Sequence, residues 1–537
     1  MTTLREQKSI FMTTQPTPAC YAIRKAHLYD GLGGSPLMAD VVVKDGVIAA
    51  VAATGSLNLT GVSIIDAEGL ALAPGFIDLH SHSDRSILVA PDADGKISQG
   101  ITSEIVGNCG NSAFCEKADL IREILTETGL RECWGDINAY AEAVTKRRPI
   151  VNIGALCGHN TIRSRVKGFE DKPLTTDELN QMKELLHRAL EQGAAGFSSG
   201  LIYFPGKFSE SSEVEALATV LRGTGKPYAT HMRSEGNEVL PALEEAFRIA
   251  RAGAGKLQIS HIKATGPNNW GKAPTMIAMI EEQQRSGLAI KADRYPYIFS
   301  HTSLLVSVPA PFNRIEGGLL QKQLRESAEV RQNLLHTMTE KGCIRGDWDN
   351  VIIMNNDPKL RHFYGKPIAT VAAALELTVP ELYVKLLTEY KSGGSAAYGT
   401  MNQDAMRLFL AQDWCFPGTD ASGIPSDGSL GLCHPRGFGA FPGFYKIARE
   451  MVPIQHVIRR MSADPARFFN FKNRGVIREG YAADLVLFDE EQLEGMATLE
   501  NPTALSRGIH QVFVNGQLSY TREDPSFRGR NGVFLRF

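Results

Sequence analysis

Two histidines two positions apart, His80 and His82, close the stretch APGFIDLHSHSD that runs from Ala73 to Asp84. In an extended strand alternate side chains face the same way, so both imidazoles would project together from Cα atoms roughly 7 Å apart and could chelate a metal. That spacing is weak by itself, and partners must come from elsewhere in the chain. Cys109 in VGNCGNS, His231 in PYATHM, His261 in LQISHIK and Asp420 in CFPGTD each end or follow an apolar run that reads as a buried strand. Singly, each has an ordinary explanation as a packed histidine, a small buried thiol or a turn carboxylate. Gathered at one end of one sheet, these imidazole, thiolate and carboxylate donors favour zinc over calcium or magnesium, which prefer all-oxygen shells.

The elements that must position these residues alternate along the middle of the chain. Strand-like runs recur as IDLHSH, ITSEIVGN, IVNIGALCGH, AAGFSSGL, PYATHM, LQISHIK, AIKADRYPY and CFPGTD. Helical patterns lie between many of them, such as LTTDELNQMKELLHRALEQG, with Thr176 as its cap and Gly193 as its stop. Eight strands with intervening helices predict an α/β fold, a TIM-like (β/α)8 barrel whose catalytic groups sit at the C-terminal strand ends. The stretch from 298 to 414 is too long for one crossover and predicts an inserted lid subdomain, with IATVAAALELTVPELYVKLLTEY as one of its helices.

Short alternating strands flank the barrel on both sides, with Asp45-Gly46 and Asn515-Gly516 as hairpin turns. The expected organisation is a disordered leader over 1–19, a small β-sandwich built from 20–72 and 473–537, and a catalytic barrel over 73–472.

A chain of 537 residues with 43% apolar content and a formal charge of −2 has no electrostatic footprint for nucleic acid. It contains no apolar run of membrane-spanning length, and its first residues lack the apolar core of a secretory signal. The eight scattered cysteines form no CxxC pair, which reads as free thiols in a reducing, cytoplasmic compartment. The oligomeric state is not legible.

Taken together and in order, HSHSD, GITSEIVGNCG, ATHMRSEG, ISHIKATG, DRYPY, GTDAS and HPRGFGAFP resemble the D-aminoacylase (N-acyl-D-amino-acid deacylase) branch of the amidohydrolase superfamily. The resemblance spans about residues 20 to 520. It implies a small-molecule hydrolase that cleaves an N-acyl-D-amino acid to a carboxylate and the free D-amino acid. It also implies that Cys109, His231 and His261 hold a tight zinc, while His80 and His82, with Asp420 and a shared Cys109 sulfur, form a weaker second site. Asp420 matches the catalytic aspartate. It would take a proton from the attacking water and deliver it to the leaving amine, which departs poorly as an anion.

Tyr203 resembles the tyrosine that donates to the developing oxyanion, and Lys263, Tyr295 and Arg436 are candidates for the substrate α-carboxylate. His159 reads as a loop-orienting residue. Two departures stand out: Arg294 occupies a position usually hydrophobic, and GTDAS replaces the more usual GSDG. Competing readings are thiol catalysis at Cys109, a non-enzymatic scaffold, and another amidohydrolase activity of the cyclic-amidase or dipeptidase-like kind.

Overall fold

Short runs that are buried on both faces form the central sheet of the computed structural model, which describes residues 17–116, 130, 132–253, 255–343, 347–354, 360–390 and 394–537. The leader expectation falls largely on residues 1–16, outside the described residues. Eight parallel strands follow the eight apolar runs read from the sequence: β1 Phe76–Asp78, β2 Ile101–Val106, β3 Asn152–Ala155 continued by Cys157–Gly158, and β4 Phe197–Gly200. The set is completed by β5 Tyr228–His231, β6 Lys256–Ile259, β7 Ala289–Arg294 and β8 Cys415–Pro417. The strands pair in sequence order through β3, and β8 returns to β1 through a single parallel bridge, Ser81 to Ala421. Burial on both faces is what a parallel sheet covered by helices requires.

Ile77, Leu79, Ile105, Leu156, Ala229 and Phe416, drawn from successive strands, form one core with Phe468 and Phe469. The larger core lies between strands and helices, where Met182, Leu186 and Leu190 share one face of the helix Thr176–Glu191. Its cap is Thr175, one residue before the expected Thr176. Thr175 Oγ1 accepts from Glu178 N, and the Glu178 carboxylate accepts from Thr175 N, so the glutamate three places on selects the first threonine.

The inserted segment carries its own antiparallel sheet of Ser300–Ser303, Val351–Ile353 and Ser395–Tyr398, and its own core around Leu320, Leu334, Tyr383 and Leu387. The single helix expected from 368 to 390 is two, Ile368–Ala374 and Val379–Glu389. A second capping box, Thr378 with Glu381, starts the latter, with proline admitted in its first turn. The helix Gln403–Leu410 packs into the barrel core through Met406, Phe409 and Leu410.

Strands from both ends of the chain make one eight-stranded sheet, in which Leu485–Phe488 pairs antiparallel with Ala71–Pro74. Asp45 and Gly46, like Asn515 and Gly516, all have φ between 50° and 83°, the backbone of tight hairpin turns. The last residues leave this sheet and run beside β3, where Ile153 N donates to Val533 O and Leu535 N donates to Ile153 O.

Candidate metal centre

Each donor singled out in the sequence emerges where a barrel strand ends. His80 and His82 follow β1, Cys109 follows β2, His231 ends β5, His261 follows β6 and Asp420 follows β8. Cys109, His261 and Asp420 have φ of 53°, 36° and 47°, left-handed backbone that L-residues adopt at a cost of about 1–3 kcal/mol each. The Cys109 loop is held in that shape by close backbone packing, since a Cβ on Gly200 would lie 2.1 Å from Cys109 O. Asn160 Nδ2 donates to Gly200 O at 3.2 Å and the neighbouring His159 contacts Asn160 Oδ1, so His159 lies beneath the loop rather than in the centre.

The Cys109 sulfur sits among three imidazoles, 3.4 Å from His80 Nε2, 3.8 Å from His231 Nδ1 and 3.7 Å from His261 Nε2. A tetrahedral shell with Zn–S of about 2.3 Å and Zn–N of about 2.0–2.1 Å needs S···N separations of about 3.6 Å. The donor set therefore fits zinc in both chemistry and spacing. Asp420 Oδ1 lies 3.1 Å from His82 Nε2 and 3.4 Å from His80 Nε2, while its Oδ2 is 2.7 Å from Arg436 Nη1. Burial raises the thiol pKa of Cys109, but His80, His231 and His261 outweigh it and hold the group well below its ordinary value. Burial likewise opposes ionisation of Asp420, and Arg436, His261 and His80 hold its carboxyl well below the usual carboxylate range. Both groups are thereby favoured in their ionised forms.

Behind the donors stands a layer that sequence reasoning missed. Asp293 Oδ1 contacts His80 Nδ1 at 2.9 Å and accepts from His261 N at 2.8 Å. Glu235 lies 2.9 Å from His261 Nδ1, 3.7 Å from His231 Nε2 and 2.5 Å from Lys263 Nζ. Such carboxylates fix the orientation of ligating imidazoles. Their signals were present, as an acid four residues past His231 and another at the end of β7. Buried Lys96 joins β1 to β8: its ammonium reaches Asp78 Oδ2 at 2.8 Å, Ser81 Oγ at 3.1 Å and Thr419 Oγ1 at 2.6 Å, with Glu104 Oε2 at 3.2 Å.

Comparison with known proteins accounts for this arrangement. Residues 63–294 and 439–519 match models of the amidohydrolase family. The chain is 31% identical over 504 residues to N-acyl-D-glutamate deacylase of Alcaligenes xylosoxydans xylosoxydans, covering 93% of both chains. The chain belongs to the D-aminoacylase branch of the amidohydrolases. The structure of N-acyl-D-glutamate deacylase from Bordetella bronchiseptica, complexed with zinc and a phosphonate that mimics the tetrahedral intermediate, superposes with a TM-score of 0.79 at 30% identity, covering 96% of this chain and 99% of that one. A D-aminoacylase structure described by a binuclear metal centre, with one-metal activation and second-metal attenuation, gives 0.77 at 30% identity, covering 97% and 100%.

In this member of the D-aminoacylase branch, the centre opens into a cavity of about 560 Å³. Tyr203, Lys263, Tyr295 and Arg436 all line it. The Tyr203 ring lies 4.8 Å from that of His231, and the Arg436 guanidinium stacks 4.6 Å from the Tyr295 centroid. Lys263 is drawn inward: it donates to Glu235, to His261 O at 2.9 Å and lies 2.7 Å from His261 Nδ1. Arg233 is committed to Glu245 and Ser209 O, away from the cavity. Ser300, His301 and Thr302 of the inserted segment line the same cavity.

Among the described residues no helix is long and apolar enough to cross a membrane.

Proposed function

We propose that this chain hydrolyses N-acyl-D-amino acids at a zinc centre held by Cys109, His231 and His261, with His80, His82 and Asp420 offering a weaker second position. The observation that carries this reading is the convergence of three imidazoles within 3.8 Å of one thiolate, facing a carboxylate and an open cavity. Zinc bound there supplies Lewis acidity that polarises an amide carbonyl and acidifies water toward neutral pH.

The chain's own residues supply the rest. Asp420 is ionised and accepts the proton of the attacking water through Oδ1, because Oδ2 is engaged by Arg436. It then returns that proton to the departing amine nitrogen. Tyr203, against His231, donates its hydroxyl to the developing oxyanion. Lys263, Tyr295 and Arg436 receive the α-carboxylate and so orient the scissile bond over the centre. With Lys263 and Arg436 assigned to the α-carboxylate, the described cavity residues hold no further lysine or arginine for an acidic side chain. Leu430, Leu432 and His301, whose imidazole burial pushes down to about 3, make a wall that suits an uncharged D-side chain. A cytoplasmic address fits eight cysteines that form no disulfide.

The test is a substrate panel run beside metal analysis. N-acetyl derivatives of D-methionine, D-leucine and D-phenylalanine should be hydrolysed faster than those of D-glutamate, and the L enantiomers should be inert. Chelation should abolish turnover and zinc should restore it. Turnover of cyclic imides in place of linear D-substrates, or activity that survives metal removal, rejects the reading.

A further inference from the structure

β1 and β8 meet by the bridge from Ser81 to Ala421, and the runs that leave these two strands carry His80, His82 and Asp420. Two backbone hydrogen bonds cross this seam: Asp420 N donates to His80 O at 2.8 Å and His82 N donates to Ala421 O at 3.2 Å. Side chains supply three more. Thr419 N donates to Asp78 Oδ1 at 3.1 Å, Ser422 Oγ donates to His82 O at 2.9 Å and Gly423 N donates to Ser83 Oγ at 2.7 Å. Residues 78–83 are thereby held in register with residues 419–423.

The end of this seam that precedes the donors is gathered by one buried ammonium. Lys96 is 1% exposed and donates to Thr419 Oγ1 at 2.6 Å and to Asp78 Oδ2 at 2.8 Å, with Glu104 Oε2 3.2 Å away. The Thr419 hydroxyl donates in turn to Asp78 Oδ2 at 2.6 Å. Asp78 Oδ1 accepts from His80 N at 3.1 Å as well as from Thr419 N. One carboxylate therefore grips the backbone of a metal donor on one side and, on the other, the residue just before Asp420. Asp420 itself has φ of 47°, a conformation that persists only where the surroundings over-determine it.

A buried ion pair is weak grounds for stability, because apolar side chains of the same volume often pack as well. What it fixes is one register. Lys96, Asp78 and Thr419 do not line the substrate cavity, so they serve no substrate directly.

We propose that Lys96, Asp78 and Thr419 are positioning residues for the reaction. They set where Asp420 Oδ1 stands, 3.4 Å from His80 Nε2 and 3.1 Å from His82 Nε2. The inference rests on Asp420 as the base.

The test uses the full chain loaded with zinc. Lys96→Met would leave the Asp78 carboxylate buried without its countercharge, so the milder change is made at Thr419. Thr419→Val keeps the shape of the side chain and removes the hydroxyl between Lys96 and Asp78, whereas Thr419→Ser keeps the hydroxyl. In Thr419→Val kcat should fall about 10–100-fold, the cost of a base displaced by about 1 Å. KM should stay within about twofold, since the residues that receive the α-carboxylate are untouched. In calorimetric titration with zinc the second equivalent, which His80, His82 and Asp420 would hold, should weaken more than the first. Thr419→Ser should recover both kcat and the second equivalent. The charge-balanced variant Lys96→Met with Asp78→Asn should lose kcat in the same range, and it decides the matter if Thr419→Val does not fold. A variant that melts earlier yet keeps its kcat overturns the proposal, and so does Thr419→Ser as slow as Thr419→Val. If Asp420→Asn also keeps its kcat, the assignment of the base has failed instead.

Discussion

His231 and His261 leave neighbouring strands that pair in register, Tyr228 with Leu257 through Thr230 with Ile259, whereas His80, His82 and Asp420 stand on either side of the seam where β1 and β8 meet by one bridge. On the first side Glu235 backs His261 at 2.9 Å and stands 3.7 Å from His231 Nε2, beyond hydrogen-bond reach, and both side chains are at most 4% exposed. On the second, His80 is backed by Asp293, but among the described residues His82 has no such carboxylate behind it, and its side chain is 32% exposed. The seam is held from below by Lys96 through Asp78, Ser81 and Thr419, the residues that precede, separate or adjoin the donors themselves. Orientation of a ligand by a second layer strengthens metal binding. On the proposed reading, the tight ion lies on the side with the continuous sheet, and the seam side is the adjustable one.

The largest effect belongs to the group that faces both sides. Asp420→Asn keeps the size of the side chain and removes its basicity, so zinc content should stay at one equivalent while kcat falls about 10²–10⁴-fold. Retained kcat would mean that the proton moves through another group. On the tight side, Glu235→Gln leaves a hydrogen-bonding group at His261 Nδ1 but removes the negative charge. Zinc affinity, measured by competition with a chelator, should fall about 10–100-fold. An unchanged affinity would show that backing by Glu235 is not what separates the two sides.

How much of this the sequence disclosed follows the same division between donors and their supports. All six donors were legible because a strand that stops at a polar residue announces both its direction and its end. Their supports were not. Glu235 and Asp293 lie one layer back, and acids at those offsets serve equally well as helix caps or surface charge. Lys96 sits on the short helix Asp94–Ile97, which is too brief to show any periodicity. The helix errors have a local cause: apolar periodicity runs unbroken across Leu375 to Leu377, while the stop is carried by Thr378, Pro380 and Glu381. Reading the acid at the third helical position would have placed both threonine caps correctly. Arg294 was noticed only as a departure; nothing in a linear sequence says that an arginine there will be buried, with its guanidinium 4.5 Å from the Tyr295 centroid.

The smallest effect is the sharpest test of the comparison. His82→Ala removes the most exposed donor and its 3.1 Å contact with Asp420 Oδ1, and leaves Cys109, His231 and His261 in place. Such a hydrogen bond is worth about 1 kcal/mol, so kcat measured at one equivalent of zinc should change by less than about tenfold. The affinity for the first zinc should move less than that for the second, because of its three proposed donors only Cys109 interacts with the lost side chain. The second equivalent should bind more weakly, which direct titration with zinc followed by calorimetry would resolve. If the first equivalent weakens more than the second, the tight ion sits across the seam with His80, His82 and Asp420, and the two sides exchange roles.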